Sequence, residues 1–203
     1  MAITFNTDKM PSAERKIWRG EAKMLPAGFK LNQTFGVGTI FHRGTPVEVN
    51  MGDLSCNICK VAKVIAGGTT TKPRITKNSY FKVGDTIMVD GGSAERTISA
   101  INTSNSGYDE LTLNSALTGA TEGAFLTESY EVVDGNTTTY HAAHVPNAII
   151  GEEREVLASD LPTIDVAWGA LVIKDVAPAI PASWMADGLL CLKNNHNIVY
   201  IRQ

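Results

Sequence analysis

No run of apolar residues in this 203-residue chain approaches the ~18 that a membrane-spanning helix requires. At the start, MAITFNTDKM carries Asp8 and Lys9 where a signal peptide would place its apolar core. The expectation is a chain made and kept in a cytosol until it assembles. Charge of one sign is also lacking: 18 basic residues face 21 acidic ones, for a net charge of −3. That balance creates no field able to gather a polyanion, so nucleic acid is not an expected partner. Aromatic residues make up only 7% of the chain, and there are three cysteines. Cys56 and Cys59 form a CxxC without the second Cys or His pair that a zinc site needs. SCNICKVAKVIA reads as a β-branched strand, in which residues 56 and 59 point to opposite faces. Structural, reduced cysteines are expected.

Chemistry-bearing constellations are equally sparse. His141 and His144 stand three apart, but Ala142 and Ala143 supply no base and Pro146 opposes a continuing helix. FGVGT lacks a third glycine at dinucleotide spacing, and GGTTTK lacks the order of a phosphate-binding loop. There is no GxSxG elbow. Asp85, Asp90, Asp109 and Glu110 fall near turns and read as turn-forming, solubilising residues. No catalytic set, cofactor site or metal site is expected, and the chain reads as a non-enzyme.

What is present is turn chemistry between short strands. The chain holds 18 glycines and eight prolines, with many Thr, Asn and Ser. Residues 1–30 read as an N-terminal arm, with a short helix opening at Ser12. Lys9, Arg15, Lys16, Arg19 and Lys23 outnumber Glu14 and Glu21 around Trp18. Lys9, Arg15, Lys16, Trp18 and Arg19 are therefore the candidate contacts with a partner surface. Within residues 67–130, Ile87 and Val89 alternate with Thr86, Met88 and Asp90. RTISAIN and Glu110-Leu111-Thr112-Leu113 alternate in the same way. Five short strands at roughly ten-residue spacing predict a small barrel or sandwich inserted into the chain. FKVGDTIMV, ERTISAI and YDELTLNSAL, ending in GAFL, resemble the small SH3-like barrels inserted in phage capsid and tail proteins.

Residues 31–66 together with 131–203 are expected to form the main β-rich domain. There GEEREVLASDL reads as one or two helical turns, and Ile164 to Val176 as a long strand. Ser183 to Gly188 reads as a short helical turn. GLLCLKNNHNIVYIRQ reads as a hairpin turning through Asn194-Asn195-His196, whose asparagines tolerate φ > 0. The class is mainly β with some α. The stretch from Ile164 to Leu192 carries few charges, so Trp168, Trp184 and Met185 are candidates for a subunit interface as well as for the core.

LPAGFKLNQTFGVGTIFHRGTPVEV, FKVGDTIMVDG with YDELTLNSAL, and the terminal LKNNHNIVYIRQ extend the likeness over most of the chain. In texture it resembles the head decoration or head-fibre proteins of phages and prophages of gut Bacteroidetes. The resemblance implies a virion protein on the capsid exterior, made in the bacterial host cytoplasm. Its implied partners are the major capsid protein and further copies of itself, as dimer or trimer, with the basic arm against the shell. The alternative is a carbohydrate-binding module for host or mucosal glycans, with Tyr80, Phe81, Tyr108 and Tyr130 as stacking platforms.

Overall fold

A computed structural model of the protein describes residues 16–158 and 163–202. In chain order a first module contributes β1 (Trp18–Leu31), β2 (Ile40–Phe41), β3 (Pro46–Asn50) and β4 (Ser55–Ile58). The chain then enters a second module of β5 (Val61–Ile65), β6 (Arg74–Ile75), β7 (Thr86–Val89), β8 (Glu95–Asn102), β9 (Asp109–Leu113), β10 (Phe125–Asp134) and β11 (Thr137–Ala142). It returns to the first module through β12 (Ala148–Ile150), β13 (Arg154–Glu155), β14 (Thr163–Ile173), β15 (Cys191–Leu192) and β16 (Asn195–Ile201). The only helix among the described residues is a 3-10 turn at Ala182–Trp184.

Both modules close on themselves. In the first, the order β1-β4-β3-β12-β14 returns to β1, and β16 and β15 extend the sheet outward from β14. In the second, β10-β5-β6-β9-β8-β7 closes through a β7–β10 pairing, with β11 hanging from β10. Closure removes the exposed strand edges that an open sheet would leave. The inserted barrel expected from alternating residues is therefore present, with wider limits. It gains β5, and the barrel strand β10 runs on past residue 130 into the β10–β11 hairpin. VAKVI alternates well enough to suit either barrel, and only its pairing with β10 and β6 assigns it.

The arm is the larger revision. From Trp18 onward it is a 14-residue strand paired along β14. Its register slips between Leu25 and Phe29, a stretch that contains Pro26 and Gly28, so the strand absorbs the two helix breakers as an irregularity. Residues 1–15, including the helix expected at Ser12, lie outside the described residues. Strand β14 sits centrally between β1, β12 and β16. Ile164 and Val166 feed one core, with Phe29, Phe41 and Ile58. Ala167, Ala170 and Val172 feed another, with Ile198 and Tyr200. Burial within the chain's own core accounts for the scarcity of charge after Ile164 only in part, since Leu171, Leu189 and Leu190 are 48%, 54% and 59% exposed. Trp184, an interface candidate in the sequence, is 2% exposed and belongs to that core. Its ring is covered by its own chain and presents no surface to a second copy.

Two local expectations are corrected. GEEREVLASDL is extended where it is described, since β13 pairs with β2, and residues 159–162 lie outside the described set. The terminal hairpin turns through Lys193 and Asn194, because Leu192 already pairs with Asn195. Among the described residues, positive φ outside glycine occurs at Leu54, Asn78 and Tyr80 only, so the asparagines do not serve by left-handed backbone. Asn195 instead is buried: its Nδ2 donates to the carbonyls of Asn147 (2.8 Å) and Trp168 (2.9 Å). It ties the hairpin to β14 and to the strand-entry loop of β12.

Candidate functional site

The chain crosses between the barrels twice, near residues 58–61 and 142–147. At the first crossing Lys60, 3% exposed, donates through Nζ to Asp85 Oδ2 (2.7 Å) and Glu128 Oε1 (2.8 Å). Asp85 Oδ2 also accepts from the Lys82 backbone N–H at 2.9 Å. Asp85 is thus no solubilising turn residue but one leg of a buried ion triad. Beside it Cys59 is fully buried, and desolvation, aided by the Glu48 carboxylate, pushes its thiol upward. Burial pushes the Cys56 thiol up to about 12, and its Sγ donates to the Phe29 carbonyl. Neither supplies thiolate near neutral pH, so the CxxC offers no nucleophile.

A second tie is made by Tyr80, from the loop before β7. Asn78 and Tyr80 adopt φ of 62° and 63°, a costly backbone for a bulky residue. That backbone delivers the Tyr80 ring into the first barrel, 5.7 Å from Phe41 and 6.3 Å from Phe35. Its hydroxyl accepts from the His42 N–H (3.0 Å) and donates to the Ile40 carbonyl (3.2 Å). Burial pushes the phenol pKa upward. A third tie is the hydrogen bond from Ser183 Oγ to Asp90 Oδ1. Around it lies an open groove of about 430 Å³ lined by Met88, Tyr140, Trp184 and Lys193 among others. Met88, assigned to solvent by alternation, is buried at 4% exposure.

The histidines do not converge. His144 Nδ1 lies 2.8 Å from Glu48, His42 Nδ1 lies 2.8 Å from Glu153, and His141 stacks beside Tyr130. Among the described residues no group of three or more His, Cys, Asp or Glu could hold a metal. No helix among them is long and apolar enough to cross a membrane.

The expected partner-contact residues are spread. Lys9 and Arg15 lie outside the described residues, while Lys16 and Arg19 are exposed at and just before the start of β1. Trp18 is half-buried against the core of Ile149, Val172 and Ile198, with the Arg43 guanidinium 5.3 Å above its ring. Trp168 and Met185 are partly buried against the two cores of the first barrel. Of the glycan platforms, Tyr80 is committed to the first barrel, Phe81 packs on the core of the second, and Tyr108 lies under Arg74 at 4.7 Å. Tyr130 remains exposed.

Of one further exposed surface, the sequence points only to Tyr130. Past Ser129, β10 and β11 leave the barrel as a two-stranded ribbon, paired from Ser129↔Ala142 to Asp134↔Thr137. Tyr130 is 50% exposed on it, Val132 38% and Val133 60%. Asp134-Gly135-Asn136 marks a turn in the sequence, with no sign of the strands on either side. Nothing local shows that the hairpin stands clear of a core.

No protein-family model matches the sequence, and neither a curated protein nor a solved structure is similar to it.

Proposed function

We propose that the chain is a non-enzymatic virion structural protein, a head decoration or head-fibre subunit that sits on the capsid exterior and works by assembling with further copies. The observation that carries this reading is the ribbon of β10 and β11. Two-stranded ribbons are at best marginally stable alone, and this one exposes Tyr130, Val132 and Val133. Such an element gains its stability from a partner. The seam between the barrels supports the same reading, because Tyr80 and Asp90 commit its polar groups to holding two barrels as one body rather than to a reaction. Lys16 and Arg19, with the basic residues before them, suit an acidic shell surface. The glycan-binding alternative is less well supported, since three of its four aromatic platforms are engaged within the chain.

Light scattering of the purified chain across a range of concentrations tests the assembly. A stable dimer or trimer is expected, and a monomer at every concentration would overturn the reading.

A further inference from the structure

We infer that β11 is a self-pairing edge: two copies of this chain join antiparallel, β11 beside β11, into one four-stranded sheet across a two-fold axis. The inference rests on the assembly reading and names its surface. Among the described residues β11 pairs with β10 alone, so its outer backbone N–H and C=O groups face no strand. Exposed edges are usually blunted by lysine, proline or a bulge. β11 reads Thr-Thr-Thr-Tyr-His-Ala, which has no such guard and is rich in strand-favouring residues. Its register with β10 is unbroken.

Charge selects this edge and favours a second copy as its occupant. Both acids of the ribbon, Glu131 and Asp134, stand on β10, whose other edge is also unpaired past Ser129 among the described residues. Joining two copies through β10 would set these carboxylates on neighbouring strands about 5 Å apart. β11 carries no Asp, Glu, Lys or Arg. Joining through β11 moves the two β10 strands three spacings apart, about 14 Å, beyond the ~8 Å screening length at physiological salt. A two-fold axis through the sheet pairs positions of like parity. Centred on Thr139, it sets Thr139 beside Thr139 of the second copy. Because Val132 is the cross-strand neighbour of Thr139, one face then shows an unbroken row of Val132, Thr139, Thr139 and Val132. Such β-branched cross-strand contacts are the unit of sheet stabilisation.

Thr139 is exposed, and its hydroxyl contacts only the Val132 carbonyl and His141 Nε2, so its replacement leaves both barrels untouched. Thr139→Lys sets two ammonium groups against each other, and Thr139→Glu sets two carboxylates. With circular dichroism unchanged, each variant is expected to fall from the dimer mass to the monomer mass in light scattering. An equimolar mixture of the two should regain the dimer mass. If Thr139→Lys keeps the wild-type mass, if the wild-type chain is a trimer, or if the mixture stays monomeric, the self-pairing edge is wrong while assembly stands. A wild-type monomer at all concentrations would overturn both.

Discussion

Asp85→Ala should destabilise the protein by about 3–5 kcal/mol, the range seen when one partner of a buried ion pair is removed. For a chain of this size that corresponds to a fall in Tm on the order of 10 °C. The reason is solvation. Lys60 is buried, and losing Asp85 leaves its ammonium with Glu128 alone. The Lys82 N–H loses its acceptor in the same step. The triad is not itself a large net source of stability, because burying three charges costs much of what their attraction returns. Replacing Lys60 and Asp85 together by Met and Leu should therefore cost less than the two single changes summed. Thermal or urea melts of the three variants check both statements. A loss below about 1 kcal/mol for Asp85→Ala would mean that the triad is hydrated rather than buried.

Tyr80 separates packing from hydrogen bonding. Tyr80→Ala should cost about 3–5 kcal/mol, since it removes a ring packed against the Phe35–Phe41 pair and leaves a cavity where the second barrel grips the first. Tyr80→Phe keeps the ring and loses the bonds to His42 and Ile40, for about 1 kcal/mol. Urea melts measure the two losses. Limited proteolysis of Tyr80→Ala should cut first in the loops between the barrels, because this side chain bridges them. Equal losses for the two variants would show that the hydroxyl, not the ring, holds the seam.

Strand existence was legible where alternation and turn residues agree. Ile87, Ile98, Leu111 and Leu113 point into the second barrel as their spacing indicates. The long strand after Ile164 and the closing hairpin were equally plain. What failed to show depends on distant partners. The first strand is half exposed and interrupted by Pro26 and Gly28, so only its partner β14, more than a hundred residues away, reveals it. Lys60 meets Asp85 and Glu128 across 25 and 68 residues. Nothing near Asp85 distinguishes it from any other Gly-Asp turn. Tyr80 looked like a surface aromatic because its burial follows from an unusual backbone at Asn78 and Tyr80. The ribbon turn was visible, but a hairpin standing free of a core has the same local pattern as one packed on it.

The structure also changes how the arm is best probed. Truncation to residue 24 would delete half of β1 and break the first barrel, whereas removal of residues 1–15 spares every described strand. The measurement that bears most directly on the proposed role is co-sedimentation of the full chain with shells of the major capsid protein, at low and at high salt. The expected result is saturable binding that weakens as salt screens the basic segment and drops sharply when the exposed Lys16 and Arg19 are both replaced by Glu. A chain that stays in the supernatant at both salt concentrations would contradict a place on the capsid.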